Sequence, residues 1–330
     1  MQAKHCKFQY AFILISLLIG FGCEPTSKNK VEQQQINSVQ AELFYESSAE
    51  LGEGALWDVQ TNSLYWVDIL GKTFNILNVE AKDNSSFSMP SAIGTVISAS
   101  DSTVMVALVD GVYQYNFLEQ ELQPFALPDL TGKDVRFNDG KCDPSGRFWV
   151  GTMHNPQNKD DGSVYMFETD GTITEQIKGV TISNGIVWNK ASTMMFYIDT
   201  PTQQVVSYEF DNATGQISNR RIVAEIPKEM GFPDGMTIDE NDHLWVALWN
   251  GNAVINIDHK TGEILNTVVV PAHNVTNCAF GGPNLDELYI TTASVDMMDQ
   301  EQKDFPHAGS IFLVKPGVRG IPSVRFGDQP

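Results

Sequence analysis

One pattern of apolar and polar positions recurs along the chain: a glycine, a short apolar run, a polar turn, then an aromatic-rich strand. It reads EGALWDVQTNSLYWVDI from Glu53, IGTVISASDSTVMVALV from Ile93 and DGKCDPSGRFWVGTM from Asp139. It returns as NGIVWNKASTMMFYIDT from Asn184, DGMTIDENDHLWVALW from Asp234 and TNCAFGGPNLDELYITTA from Thr276. Gly54, Gly94, Gly140, Gly185 and Gly235 lie 40, 46, 45 and 50 residues apart, and Asn277 begins the sixth apolar run 42 further on. Each module continues into two more alternating segments, such as AVINIDHKTGEILNTVVV and VVSYEFDNATGQISNRRIV. Their Asp-x-x-Thr-Gly turns are hairpin signals. Four short strands per repeat describe a propeller blade. The expected fold is therefore all-β: a six-bladed β-propeller with four-stranded blades around a central channel. Ala41–Tyr45 is expected to supply the outer strand that closes the ring, and the six tryptophans to pack between blades. No amphipathic helix of useful length interrupts the pattern.

The N-terminus follows a different rule. Lys4 and Lys7 precede an apolar run from Phe8 to Gly22, too short to span a bilayer comfortably, and Cys23 follows. The ending resembles a bacterial lipobox, with Phe21 bulkier than usual. The expected organisation is a lipoprotein-type signal peptide over 1–22, a lipidated Cys23 with a flexible polar tether over 23–40, and one catalytic domain over 41–330. The expected location is export, held by a lipid anchor on the periplasmic or cell-surface side of a bacterial membrane. An ordinary secretory signal with an incidental cysteine and an uncleaved anchor helix are the alternatives.

The net charge of −20 becomes −22 once Lys4 and Lys7 are removed. Such a field repels nucleic acid and anionic lipid and favours cations, although a solvated acidic surface also explains it. No nucleic-acid partner and a monomer are expected. Cys142 and Cys278 fall in the third and sixth repeats, on opposite sides of a six-membered ring, and are expected to be free buried thiols.

The innermost strand of a propeller blade runs along the channel. The residues preceding the module glycines, Glu53, Ile93, Asp139, Asn184 and Asp234, therefore occupy equivalent places near one channel end. Oxygen ligands converging from separate blades suit a hard divalent cation. The competing explanation is that Asx-Gly pairs make turns; it does not account for Glu53.

The motifs LGEGALWD, RFNDGKCDPSGRFWVGTM, ISNGIVW, FYIDT, TGQISNRR, PDGMTID, LWVALWNG and CAFGG stand in order from Leu51. In this the chain resembles the regucalcin/gluconolactonase family, also called the senescence marker protein family. The resemblance implies a metal held by Glu53, Asn184 and Asp234, with water in the remaining positions. Ca²⁺ is the first choice, and Mg²⁺, Mn²⁺ and Zn²⁺ are alternatives. It implies substrate contacts from Arg136 and Asn138 and a catalytic role for Asp234. Asp139 ranks below these. Asp199 is expected either behind Asp234 as an orienting group or in a strand-end turn. His154 is a candidate substrate contact, set against a solvated loop histidine. After Gly151-Thr152-Met153 the chain reads His154-Asn155-Pro156, without the acid that sugar-lactone members carry there, so sugar specificity does not transfer.

The implied activity is metal-dependent hydrolysis of a small sugar-type lactone, with the cation polarising the carbonyl and a base activating water. No G-x-S-x-G elbow supports a nucleophilic serine. Two rivals remain: a propeller hydrolase for other esters or phosphotriesters, disfavoured by the turn positions of His243, His259 and His273, and a non-catalytic calcium- or carbohydrate-binding propeller.

Overall fold

The recurring alternation becomes six small antiparallel sheets. A computed structural model describes residues 37–328 apart from 155 and 158. The leader 1–22, Cys23 and the tether up to residue 36 lie outside the described residues. In the first blade Gly52–Asp58, Ser63–Asp68, Thr73–Asn78 and Asp83–Ser88 pair in chain order, and the next four blades repeat this arrangement. The six inner strands are Gly52–Asp58, Thr95–Ser98, Val135–Cys142, Ser183–Trp188, Phe232–Ile238 and Asn274–Gly281. Each packs against the next, and the sixth packs against the first. The result is a closed six-bladed ring.

Closure uses both ends of the domain. The sixth blade takes Asn274–Gly281, Glu287–Ala293 and Ile311–Val314 from late in the chain. Its outermost strand is Glu42–Tyr45, with Glu42 opposite Leu313 and Leu43 opposite Phe312. Just before it, Asn37–Gln40 runs parallel to Ile264–Val269 and adds a fifth strand to the fifth blade. The ordered chain thus starts before Ala41. An edge strand added through backbone pairing needs no apolar period, so its polar sequence reads like a tether.

Inter-blade packing is aromatic. Trp57 of the first blade stacks on Tyr289 of the sixth with ring centroids 5.5 Å apart. Trp149 meets Trp188 edge-on at 5.7 Å across the third and fourth blades, and Trp245 meets Phe280 at 5.7 Å across the fifth and sixth. Each such pair adds about 0.5–1.5 kcal/mol beyond the area it buries. The outer hairpins turn as their sequences require. Asp211 Oδ1 accepts the Ala213 N–H at 2.9 Å, and Gly215 takes φ of 74°, which its missing Cβ permits.

The C-terminal segment crosses the far face of the ring. Arg319 O accepts from the Glu240 N–H, and the N–H groups of Phe326 and Gly327 donate to Ser98 O and Gly146 O, at 2.8, 2.8 and 2.9 Å. The Arg325 guanidinium pairs with Asp58 at 2.9 and 3.0 Å and with Asp101 at 2.7 Å. The one α-helix among the described residues is short, Asp299–Asp304. Cys142 and Cys278 are free and buried.

Candidate active site

Five of the six inner strands break their pairing register at the same place, four of them beside a residue singled out in sequence and the fifth beside Asn277. The shifts lie between Glu53 and Leu56, Phe137 and Gly140, Asn184 and Ile186, Pro233 and Met236, and Val275 and Asn277. Such a bulge re-aims a side chain and frees a backbone N–H from the ladder. That N–H is taken up locally. Gly54 N–H donates to Glu53 Oε2 at 2.7 Å, Gly140 N–H to Asp139 Oδ1 at 2.8 Å, and Cys278 N–H to Asn277 Oδ1 at 2.8 Å. The following glycine serves close approach more than turning. A Cβ on Gly235 would lie 2.3 Å from Asn277 Cγ, and one on Gly185 would lie 2.6 Å from Met236 Cβ. At Gly185 and Gly235 the inner strands converge too tightly for a side chain.

Glu53, Asp139, Asn184, Asp234 and Asn277 thus form a ring of buried polar side chains at one end of the channel, with Ile93 as its apolar sixth member. Asn277 joins Glu53 directly, donating from Nδ2 to Oε2 at 3.0 Å. The carboxyl groups of Glu53 and Asp234 are near enough for their charges to oppose each other. Burial, then the charge of Asp139, raises the Glu53 carboxyl; burial, then the charge of Glu53, raises Asp234 well above the carboxylate range. Asp139 is also raised by burial, against the opposing charge of Lys141. Lys141 Nζ sits below the ring and donates to Met236 O at 3.0 Å.

Arg136 and Asn138 reach the same end of the channel. Arg136 Nη1 donates to Asn138 Oδ1 at 2.8 Å, which leaves the Asn138 amide nitrogen as donor to Ser183 O at 2.8 Å and to Asn184 Oδ1 at 3.1 Å. Burial lowers the Arg136 guanidinium to about 10 while Glu53 and Asp234 pull it up, so it stays cationic at neutral pH. The substrate pair and the proposed ligand Asn184 therefore belong to one hydrogen-bonded chain.

Two candidates stand elsewhere. Asp199 does not back Asp234: its carboxylate accepts the N–H groups of Thr181 and Ile182, with Ile182 at 2.9 Å. It clamps the segment leading to Asn184, which is the strand-end alternative. His154 is 3 % exposed and so is not a solvated loop residue. Its imidazole lies 3.9 Å from Asp161, and it makes no contact with the ring carboxylates. Two residues inside the motifs were given no role in sequence. Asn277 lacks the glycine that marks the other ring positions. Thr200 donates to Pro233 O at 2.8 Å and accepts from Asn184 Nδ2 at 2.7 Å.

The donors of Glu53, Asn184 and Asp234 are all hard oxygens, and two are carboxyls whose mutual repulsion a cation would relieve. This chemistry fits a divalent ion such as Ca²⁺. Among the described residues no three His, Cys, Asp or Glu side chains meet in ligand geometry, so the candidate set depends on an amide oxygen. A cavity of about 140 Å³ opens at the opposite end of the inner strands, between Trp57, Lys141, Trp188 and Phe280 and the C-terminal residues Ile321–Val324. No candidate ligand lines it.

A six-bladed propeller with oxygen-donor side chains and an arginine gathered at one channel mouth is a scaffold for binding or transforming small molecules. The chain belongs to the SMP-30/gluconolactonase/LRE-like family, whose signature matches residues 51–294. It is 40 % identical over 286 residues to YvrE of Bacillus subtilis, a candidate sugar lactone lactonase, covering 87 % of this chain and 98 % of that one. It is 34 % identical over 295 residues to regucalcin of Danio rerio, covering 88 % and 99 %. The crystal structure of a calcium-binding regucalcin from Agrobacterium tumefaciens superposes with a TM-score of 0.84 over 89 % of this chain and 99 % of that one. At 24 % identity that likeness speaks for the fold.

Proposed function

We propose that this protein is a carboxylic ester hydrolase that opens small sugar-type lactones at the ring end of its channel. The observation that carries the reading is the convergence of the Glu53–Asp234 pair with the Arg136–Asn138–Asn184 chain in one buried mouth. Family membership and the lactonase name of the Bacillus subtilis relative support the substrate class. Glu53, Asn184 and Asp234 would hold a divalent cation, Ca²⁺ before Mg²⁺, Mn²⁺ or Zn²⁺. When bound, it supplies Lewis-acid polarisation of the lactone carbonyl.

The protein's own groups do the rest. Arg136 remains cationic and, with Asn138, orients the ring oxygens and steadies charge that develops on the substrate. Asp234 takes the proton of the attacking water; a carboxyl raised by burial is a better base than an exposed one. Turnover of a panel of aldonolactones and simple lactones, after chelation and after restoring each metal, tests the reading. Hydrolysis that needs the cation supports it. Cation binding without turnover of any lactone would point to the binding-only rival.

The N-terminal apolar run and Gly22-Cys23 support an exported, lipid-anchored protein. Membrane fractionation and mature mass of Cys23→Ala against wild type test this part: an unchanged distribution and mass would refute it.

A further inference from the structure

The blade that carries Asn184 also carries a buried hydroxyl that no ring position accounts for. Thr200 follows the strand Met194–Asp199, begins the turn Thr200–Thr202 and is 8 % exposed. Its Oγ1 has one proton, and that proton goes to Pro233 O at 2.8 Å, because a carbonyl can only accept. A lone pair then faces Asn184 at 2.7 Å, so Asn184 must present its NH₂ end there. The other end, Oδ1, is turned to the Asn138 amide at 3.1 Å, on the ring side.

The first blade provides an internal comparison. Asp68 stands at the same spacing from Glu53 as Asp199 from Asn184. Asp68 accepts the N–H groups of Glu50 and Leu51, as Asp199 accepts those of Thr181 and Ile182. The next residue completes each clamp through its own N–H: Ile69 to Leu51 O at 2.9 Å and Thr200 to Ile182 O at 3.1 Å. The clamp therefore works with an isoleucine, 1 % exposed. The hydroxyl is an addition in the blade of Asn184; the other ring amide, Asn277, has Ala293 at that spacing and is oriented instead by Glu53 and the Cys278 N–H. A carboxylate such as Glu53 presents equivalent oxygens whichever way it turns. An amide presents an acceptor one way and a donor the other, and a donor facing a cation is repelled.

We propose that Thr200 is a positioning residue of the oxygen-donor ring: its hydroxyl selects the orientation of the Asn184 amide and ties that amide to the strand carrying Asp234. The proposal rests on the reading of Glu53, Asn184 and Asp234 as cation ligands. Thr200→Val keeps the branched shape and removes both hydrogen bonds, so only the Asn138 bond is left to orient the amide. Thr200→Ser keeps the hydroxyl.

The test is calorimetric titration of the intact protein with CaCl₂ for wild type, Thr200→Val, Thr200→Ser, Asn184→Ala and the Thr200→Val/Asn184→Ala double variant. Melting in chelator is recorded alongside. Groups that orient ligands are typically worth about 10- to 100-fold in metal affinity. Thr200→Val should weaken Ca²⁺ binding by that much, and Thr200→Ser by less than about threefold. Once Asn184 is already alanine, the valine change should weaken binding by less than about twofold, because the effect runs through that amide. Wild-type affinity in Thr200→Val would overturn the proposal. So would an equal loss with and without Asn184, or a serine variant as weak as the valine one. If Thr200→Val does not fold, Thr200→Ala carries the same cycle. A wild-type protein that binds no Ca²⁺, Mg²⁺ or Mn²⁺ sinks the ligand reading itself, which is a distinct result.

Discussion

Glu53 and Asp234 come from the first and fifth blades, yet their carboxyl groups are both buried and the charge of Glu53 raises Asp234. Two buried carboxyls so placed resist ionising together, so protons compete with a cation for them.

The sign of the pH effect follows. Burial and neighbouring charge raise Glu53 from 4.5 to about 7. Between those values the folded protein binds more protons than the unfolded chain, so this group's stabilisation is full at low pH and is lost as pH rises through about 7. A cation has to displace the proton. Ca²⁺ affinity should therefore rise between about pH 5 and pH 8 and then level off, with proton release on binding near pH 6. The rise in Tm on adding Ca²⁺ should be larger at pH 8 than at pH 5.5. Calorimetry in buffers of different ionisation enthalpy reads the proton directly; pH-independent affinity with no release would remove these carboxyls from the ligand set.

The ring was legible because a blade repeats its alternation and because four of the five bulges carry a glycine, which aligns Glu53, Asp139, Asn184 and Asp234. Asn277 was harder. Cys278 takes the glycine's place in the sixth repeat, and only position within the module marks its neighbour. Thr200 ends the FYIDT motif, but its role was not readable there, because its bond to Asn184 joins two strands of one blade and its bond to Pro233 joins two blades. The recurring spacing of Glu53–Asp68 and Asn184–Asp199 was a usable signal for the clamp, and it would have moved Asp199 away from Asp234. The strand Asn37–Gln40 and the C-terminal crossing are held by backbone pairing and ion pairs, which leave no apolar period.

The two cysteines should be inert in the native protein. Burial raises Cys278 to about 12 and Cys142 well above its ordinary value, so neither forms thiolate near neutrality. Iodoacetamide at pH 8 should leave the Cys142 and Cys278 peptides unmodified until denaturant is added, when both should alkylate without prior reduction. A linked Cys142–Cys278 peptide would contradict the opposite placement of the third and sixth blades.

Arg325 fastens the C-terminal crossing to the first blade. Burial alone would raise Asp58; the Arg325 hydrogen bonds and the Thr61 N–H outweigh it and hold Asp58 below its ordinary value. A depressed carboxylate stabilises the fold above its unfolded pKa, and the stabilisation is lost as pH falls through the lower folded value. Arg325→Ala leaves Asp58 buried without its partner and should cost about 3 kcal/mol at pH 7. The gap from wild type should narrow below about pH 4, where Asp58 of the variant is protonated. Urea unfolding at both pH values measures it, and a gap independent of pH would assign the effect to packing.

Three substitutions separate the roles in the proposed reaction. Asp234→Ala removes a ligand and the proposed base together, so kcat should fall by about 10²–10⁴ even at saturating metal. Glu53→Gln keeps the shape and removes one charge. Its main effect should be weaker metal affinity, with activity partly recovered by added Ca²⁺. Arg136→Ala should raise KM more than it weakens metal binding, because the proposed role of the guanidinium is to orient the substrate. It also holds Asn138, whose amide bonds Asn184, so a small loss of metal affinity should accompany the KM change. Calorimetry and steady-state kinetics on each variant keep the three signatures apart. Equal losses of affinity and rate in all three would mean that the ring acts as one undivided unit. An Asp234→Ala protein that binds metal and hydrolyses lactones like wild type would remove the base and the ligand assignment at once, while the propeller and its bulged inner strands would stand.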